Sequence, residues 1–170
     1  LVVEFPTRRG ILTAVDNVSF DLARGEVLGL VGESGAGKSI TGSAIIGLIE
    51  PPGRIATGTV HLAGRRIDNL PSEKMRRIRG DTIGMVFQDP LTSLNPLYPV
   101  AEQLVETILT HKDISKKQAR DRAIGLLDEV GIPAADLRID DYPHQFSGGM
   151  RQRVVIALAL CADPELIIAD

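Results

Sequence analysis

The sequence predicts an α/β fold, and three features carry that prediction. The apolar run Val27-Leu28-Gly29-Leu30-Val31 leads into Gly32-Glu33-Ser34-Gly35-Ala36-Gly37-Lys38-Ser39 and then into a helix-forming stretch with Ile40, Ala44, Ile45 and Ile46. Short β-type segments lie on the N-terminal side of this unit. A block of helical periodicity over residues 91–141 then separates two further apolar strands. Strand, glycine-rich turn and helix in that order form one unit of a parallel sheet, preceded here by an antiparallel β layer and interrupted later by a helical subdomain.

Composition sets the outer limits. With 170 residues, 44% apolar and 24% charged, the chain is long enough to bury a sizeable core as a domain with a subdomain. A net charge of −3 gives no global attraction to nucleic acid or anionic lipid, so a bound polyanion must be held locally. No apolar run approaches the roughly 20 residues of a membrane span; the longest, residues 154–162, falls well short. The opening Leu1-Val2-Val3-Glu4-Phe5 lacks the basic start and cleavage site of a signal peptide. Cys161 stands by itself, which rules out an internal disulfide and fits a reducing compartment, and its alanine- and leucine-rich surroundings read as helix core.

Taken in order, residues 1–5 and 13–22 read as strands, and the turn Arg24-Gly25-Glu26 leads into the apolar strand over 27–31. The helix beginning near Lys38 ends at Glu50-Pro51-Pro52-Gly53, which cannot continue it. Residues 57–63, bordered by Gly58 and Gly64, read as a strand joining the first two in an antiparallel layer. Pro71-Ser72-Glu73 followed by Arg76, Arg77, Arg79 and Gly80 has proline and acid at its start and basic residues and glycine at its end, the marks of a short surface helix. With Arg65 and Arg66 its arginines suggest a nucleic-acid patch, but no aromatic residues interleave with them, and a solvated helix end is favoured.

Residues 82–87 form a short apolar strand that stops at Gln88-Asp89-Pro90, because proline forces the chain out of a sheet. Beyond it, Val100, Leu104 and Ile108 mark one helical face after Pro99. Ser115 and Gln118 are spaced as a capping box for a second helix, with a face of Ala119, Ala123, Leu127 and Val130 and a stop at Gly131 and Pro133. The block closes in Tyr142-Pro143-His144-Gln145-Phe146, and Ser147-Gly148-Gly149 then caps the helix running through Val154 and Leu160. Leu166-Ile167-Ile168-Ala169 is a final buried strand with Asp170 at its exit.

Four places in this plan carry chemistry. Residues 32–39 fit G-x-x-x-x-G-K-[ST] in its required strand, loop and helix context. The glycines let backbone N–H groups approach phosphate oxygens and the helix start adds its positive end. In such a loop Lys38 would reach the β- and γ-phosphates, and Ser39 would offer its hydroxyl to Mg²⁺. A glycine-rich turn that binds nothing would not explain the amine and hydroxyl side by side. A nucleophile elbow fails at Ala36, and a dinucleotide fingerprint starting at Gly35 fails at Ile40. Gln88 sits where a strand's carboxyl end meets a loop, the place where open α/β sheets bind ligands, although an ordinary loop glutamine fits there too. Ser147-Gly148-Gly149 is a second helix N-terminus able to receive an anion, although taken alone an ordinary N-cap is the favoured reading, and Asp170, together with Lys38 and Ser39, reads as an outer holder of Mg²⁺ downstream of a phosphate loop. His144 has no partner at metal-ligand spacing, nor do His61 and His111 supply one.

Together these motifs resemble the ATP-binding subunits of ABC transporters. Gly32 to Ser39 with Ile40 resembles Walker A, Gln88 the Q-loop glutamine, Phe146-Ser147-Gly148-Gly149-Met150 the signature and Leu166 to Asp170 Walker B. Phe87-Gln88-Asp89-Pro90-Leu91-Thr92-Ser93-Leu94-Asn95-Pro96 resembles more narrowly the dipeptide, oligopeptide and nickel importer branch, which also shares Phe146 and Met150 in place of the commoner leucine and glutamine. The resemblance implies a P-loop NTPase (RecA-like) core over residues 1–90, a helical subdomain over 91–146 and a signature helix with the Walker B strand over 147–170.

It implies further a head-to-tail dimer with a second ATPase subunit, ATP lying between one Walker A and the partner's Ser147, Gly148, Gly149 and Met150. Lys38, Gln88 and Asp170 act in catalysis, Ser39, Gln88 and Asp170 hold Mg²⁺, and an integral membrane permease is driven from the cytoplasmic face of the inner membrane, with no nucleic acid involved. The family's adenine-stacking aromatic falls upstream of Walker A, where Phe5 precedes Phe20. The family's catalytic glutamate follows the Walker B aspartate, and its switch histidine comes later, so the 170 residues are expected to be the N-terminal part of a subunit with little or no hydrolysis in isolation. Two alternatives are a soluble ABC-type ATPase acting on nucleic acid or ribosomes and a non-hydrolysing ATP-binding regulatory module.

Overall fold

The computed structural model describes residues 1–170, the side chains of Pro90 and Leu91 excepted, as two compact units, Leu1–Arg76 and Arg77–Asp170. In the first unit, β1 (Val2–Thr7) pairs antiparallel with β2 (Gly10–Val15) on one side and with β3 (Arg54–Thr57) on the other. Val3 faces Val15 across the hairpin and Phe5 faces Leu12. Val3, Val15 and Ala44 form the buried centre, with Phe5, Ile40, Ile49 and Ile55 packed around it, so α1 (Lys38–Ile45) docks on this layer through Ala44.

Three expectations for this unit are corrected. The strand expected over 13–22 is instead β2, which starts at Gly10 and stops at Val15; Asn17 follows at φ 51°, a left-handed conformation asparagine accepts and a strand does not. The strand expected over 57–63 ends where it was expected to begin, because Gly58 sits at φ 97°. Beyond it, β4 (His61–Leu62) and β5 (Arg65–Arg66) form a small hairpin through Ala63 (φ 48°) and Gly64 (φ 76°), the two positive values that suit a right-twisted hairpin. The apolar run 27–31 is not a strand. No strand among the described residues pairs with it, and Val27 and Val31 are 95% and 98% exposed. Apolarity records what a segment is suited to be buried against, and strand pairing is non-local.

α2 (Ser72–Ile78) follows as expected, with Glu73 in its first turn and Met75 buried. In the second unit β6 (Ile83–Val86) pairs in parallel with β7 (Leu166–Ala169), Ile83 opposite Leu166 and Val86 opposite Ala169. Parallel neighbours need a long crossover, and it is supplied by α3 (Pro90–Ser93), α4 (Val100–His111), α5 (Lys116–Glu129), α6 (Ala135–Arg138), a 3₁₀ turn at Pro143–Gln145 and α7 (Gly148–Leu160). The expected helical faces are the buried ones. Val100, Leu104 and Ile108 of α4 and Ala119, Ala123 and Leu127 of α5 are fully buried against Val154 and Cys161 of the α7 segment, with Val130 packed at the margin. Ser115 caps α5 as a capping box: its Oγ accepts from the Gln118 N–H at 3.3 Å, and Gln118 Oε1 accepts from the Ser115 N–H at 2.9 Å. At Gly84 a side chain would run into the carbonyl of Ala159, so glycine is what lets α7 lie close on β6.

Candidate nucleotide-binding site

In the first unit the segment 32–39 forms an exposed turn that enters α1 through Gly37. Gly35 and Gly37 have φ 83° and 86°. At Gly37 a Cβ would lie 2.5 Å from the carbonyl oxygen of Ala14 and 3.3 Å from Val15 Cγ2, so the loop's end is pressed against β2 and admits no side chain. Thr41, buried in the next turn, holds the Gly37 carbonyl twice, with its N–H at 2.8 Å and its Oγ1 at 2.9 Å.

Lys38 curls back over the loop and its Nζ donates to the carbonyls of Gly32 at 2.8 Å and Glu33 at 2.7 Å. The ammonium is thereby held beside the N-terminus of α1, where backbone N–H groups and the helix dipole already favour an anion. Charge, amides and open approach at residues 32–39 are the features that would suit a phosphate. Ser39 and Ile40 lie in the first turn of α1, Ser39 exposed. Phe5 does not present a free ring, since it packs on the Val3–Val15–Ala44 centre with its Cε1 against Gly53.

In the second unit, β6 and β7 deliver Gln88 and Asp170 to the same carboxyl edge. Val86 is in register with Ala169, and the Asp170 N–H donates to the Val86 carbonyl at 3.0 Å. Both residues are exposed. Among the described residues no group of three or more His, Cys, Asp and Glu side chains could hold a metal. An amide oxygen and a carboxylate at one sheet edge, with a serine hydroxyl elsewhere in the chain, are nonetheless the hard oxygen donors that Mg²⁺ takes, few in number because Mg²⁺ keeps several waters.

Ser147 caps α7, its Oγ accepting from the Met150 N–H at 3.3 Å while its carbonyl accepts from the Arg151 N–H at 2.9 Å. A Cβ at Gly148 or Gly149 would meet nothing within 4 Å, so neither position is sterically closed. His144 stacks on Tyr142, ring centroids 5.7 Å apart. Cys161 is fully buried, and burial pushes its thiol up to about 11, which makes it a packing residue rather than a nucleophile.

Two groups that sequence reading passed over organise this unit. Asp163, at φ 57°, accepts from Arg122 Nη2 at 2.5 Å and from Lys112 Nζ at 3.1 Å, while Arg122 Nε donates to the Cys161 carbonyl at 2.9 Å. Arg122 first and Lys112 second hold the Asp163 carboxyl below its usual range, and α4 and α5 are fastened to the turn before β7. Arg138 of α6 reaches Phe146, Met150 and Asp141. Neither cluster has a sequence signal, since each joins residues from separate elements.

The ABC transporter family pattern matches residues 15–170. The chain belongs to the ABC transporter family. It is 49% identical over its whole length to the oligopeptide transport ATP-binding protein OppD of Bacillus subtilis. Identity is 50% to the dipeptide transport ATP-binding protein DppD of Lactococcus lactis and 50% to OppD of Escherichia coli. It spans about half the length of these curated relatives, 48%, 49% and 50% respectively.

Among solved structures it is similar to the dimeric structure of MJ0796, a bacterial ABC transporter cassette, at TM-score 0.86 and 30% identity, covering 99% of this chain and 70% of that one. The same cassette in a post-hydrolysis state bound to ADP and Pi matches at TM-score 0.84 and 29% identity, covering 100% and 73%. The fold of this ABC chain is therefore the mixed α/β P-loop NTPase cassette.

Proposed function

We propose that this chain is the ATP-binding part of a subunit that powers uptake of di- or oligopeptides through a membrane permease. The observation that carries the proposal is the intact phosphate cradle, Gly32 to Ser39 with Lys38 poised on it, in a chain about half identical along its whole length to oligopeptide and dipeptide transport ATP-binding proteins.

The mechanism follows from the groups present. Lys38 exchanges the carbonyls of Gly32 and Glu33 for the β- and γ-phosphates, so the incoming triphosphate opens the lysine's own latch. The amides of residues 33–39 fix the phosphate chain, and Ile40 lies in the first helical turn behind it. Ser39, Gln88 and Asp170 are the residues that would hold Mg²⁺, whose charge would offset that of the phosphates. Lys38 and the loop amides supply the remaining stabilisation by position and electrostatics. Ser147, Gly148, Gly149 and Met150 offer their amide turn to the nucleotide of a second ATPase subunit, so that two helix N-termini face one triphosphate. ATP then closes a dimer and hydrolysis opens it.

The loop at Gln88 and the helical block of residues 91–146 pass that motion to the permease. No helix among the described residues is long and apolar enough to cross a membrane.

The test is disulfide trapping between chains carrying Ser34→Cys and chains carrying Ser147→Cys. The cross-link is expected to form with Mg-ATP and to fade without it. A yield that never depends on Mg-ATP contradicts the composite site.

A further inference from the structure

We propose that Arg138 is a positioning residue for the Ser147–Met150 turn. It fastens that turn to the start of α4 and so sets how readily the turn receives a nucleotide's phosphate. The proposal rests on the reading of this turn as a phosphate-facing element.

Arg138 is the last residue of α6 and belongs to none of the motifs. Its guanidinium lies over the Phe146 ring, 5.4 Å from Cζ to the centroid, and its Nη1 donates to Met150 Sδ at 3.4 Å. Its Nε stands 3.4 Å from Asp141 Oδ2. Phe146 and Met150 bracket the turn on either side: Phe146 is buried and immediately precedes Ser147, and the Met150 N–H is the one Ser147 Oγ caps. One planar cation therefore grips both ends of the four-residue segment. A lysine could not, because a point charge on a flexible stem can sit over a ring or reach a sulfur but has no rigid fork to do both.

The other side of the grip is equally defined. The segment just beyond Arg138 is bound to the first turn of α4, where the Ala101 N–H donates to the Ile139 carbonyl at 2.7 Å and the Val100 N–H to the Asp141 carbonyl at 3.0 Å. Those two N–H groups are orphans of a helix start capped by Pro99, which brings no capping side chain, so α4 depends on this segment for its N-terminal hydrogen bonds. α4 in turn follows the loop that leaves Gln88, and Gln103 of α4 clamps that loop: its Oε1 accepts from the Asn95 N–H at 2.9 Å and its Nε2 donates to the Asn95 and Tyr98 carbonyls at 3.0 and 2.9 Å. The path from the Gln88 loop to the Ser147 turn therefore runs through named hydrogen bonds and one arginine.

The experiment compares wild type, Arg138→Met, Arg138→Lys and Met150→Leu, with Arg138→Met/Met150→Leu as the double variant. Amide hydrogen exchange is read at Met150 and Arg151, and at Leu104 and Ile108 as references in the α4 core. Arg138→Met is expected to speed exchange at Met150 and Arg151 about fivefold, the scale of a partly exposed cation–π contact, and to leave Leu104 and Ile108 within about twofold. Arg138→Lys is expected to fall between the two, and adding Met150→Leu to Arg138→Met to bring less than its effect in wild type, because the pair acts together. A uniform rise at all four amides, or none at Met150, overturns the proposal. Binding of Mg-ATP to the same chain is titrated alongside: its absence in wild type would sink the reading of the phosphate loop while leaving the exchange result to stand or fall separately.

Discussion

Gly35 and Gly37 share one backbone demand and differ in space, and that difference is a measurable quantity. Both sit in the left-handed region, at φ 83° and 86°. Alanine at either position pays the left-handed cost of about 1–2 kcal/mol. At Gly35 nothing lies within 4 Å of the new Cβ, so the cost ends there. At Gly37 the Cβ arrives 2.5 Å from the Ala14 carbonyl oxygen, a backbone atom that cannot rotate away, and 3.3 Å from Val15 Cγ2. β2 and α1 must separate, which adds the overpacking cost of about 1–3 kcal/mol.

Gly37→Ala is thus expected to destabilise the first turn of α1 by about 2–5 kcal/mol and Gly35→Ala by about 1–2 kcal/mol. Urea-dependent exchange of the Thr41 amide, which donates to the Gly37 carbonyl at 2.8 Å, reads this turn directly. Equal losses in the two variants would refute the argument that β2 is what forces glycine at position 37. Mg-ATP affinity is expected to fall further in Gly37→Ala than in Gly35→Ala for the same reason.

Three further outcomes are expected. The neutral form of Cys161 is favoured by burial, so its contribution to stability is full below the unfolded thiol value of about 8.5 and is lost as pH rises towards about 11. Unfolding free energy should drop by about 3 kcal/mol over that interval, a slope that Cys161→Ala removes, and iodoacetamide should leave the folded thiol untouched at pH 8. Asp163 has the opposite sign: its carboxyl is held low by Arg122 and Lys112, so its contribution is present above about pH 4 and lost as pH falls below the usual carboxylate range. Asp163→Asn is expected to cost less than about 1 kcal/mol at low salt, since the pair is exposed, and to cost almost nothing in 1 M salt when both are compared by thermal unfolding. Gly84→Ala, which drives a Cβ into the Ala159 carbonyl, is expected to cost at least about 2 kcal/mol and to raise exchange along β6.

What the sequence reveals depends on how local the cause is. The capping box at Ser115 and Gln118, the Ser147 cap and the stripe Val100, Leu104 and Ile108 are short-range patterns, and each stands in the structure as read. The proposed phosphate cradle is equally local, since its glycines, amine and hydroxyl all lie within the eight residues Gly32 to Ser39. Strand pairing is not local. Residues 27–31 are apolar enough for a buried strand yet have no strand partner among the described residues, and residues 57–63 divide into the end of β3 and a separate hairpin because Gly58, Ala63 and Gly64 turn the chain.

That Gln88 and Asp170 share a sheet edge was legible from strand ends followed by polar residues, and the parallel register of β6 and β7 explains why. Arg138 and Asp163 were invisible, because an arginine's meaning lies in which ring, sulfur and carboxylate the fold brings to it.

Calorimetric titration of Mg-ATP into wild type and Lys38→Ala decides whether Gly32 to Ser39 cradles the phosphates of ATP and releases its lysine on binding. One nucleotide bound per wild-type chain, with binding lost in Lys38→Ala, is the predicted result; a Lys38→Ala chain that binds as wild type does would contradict it.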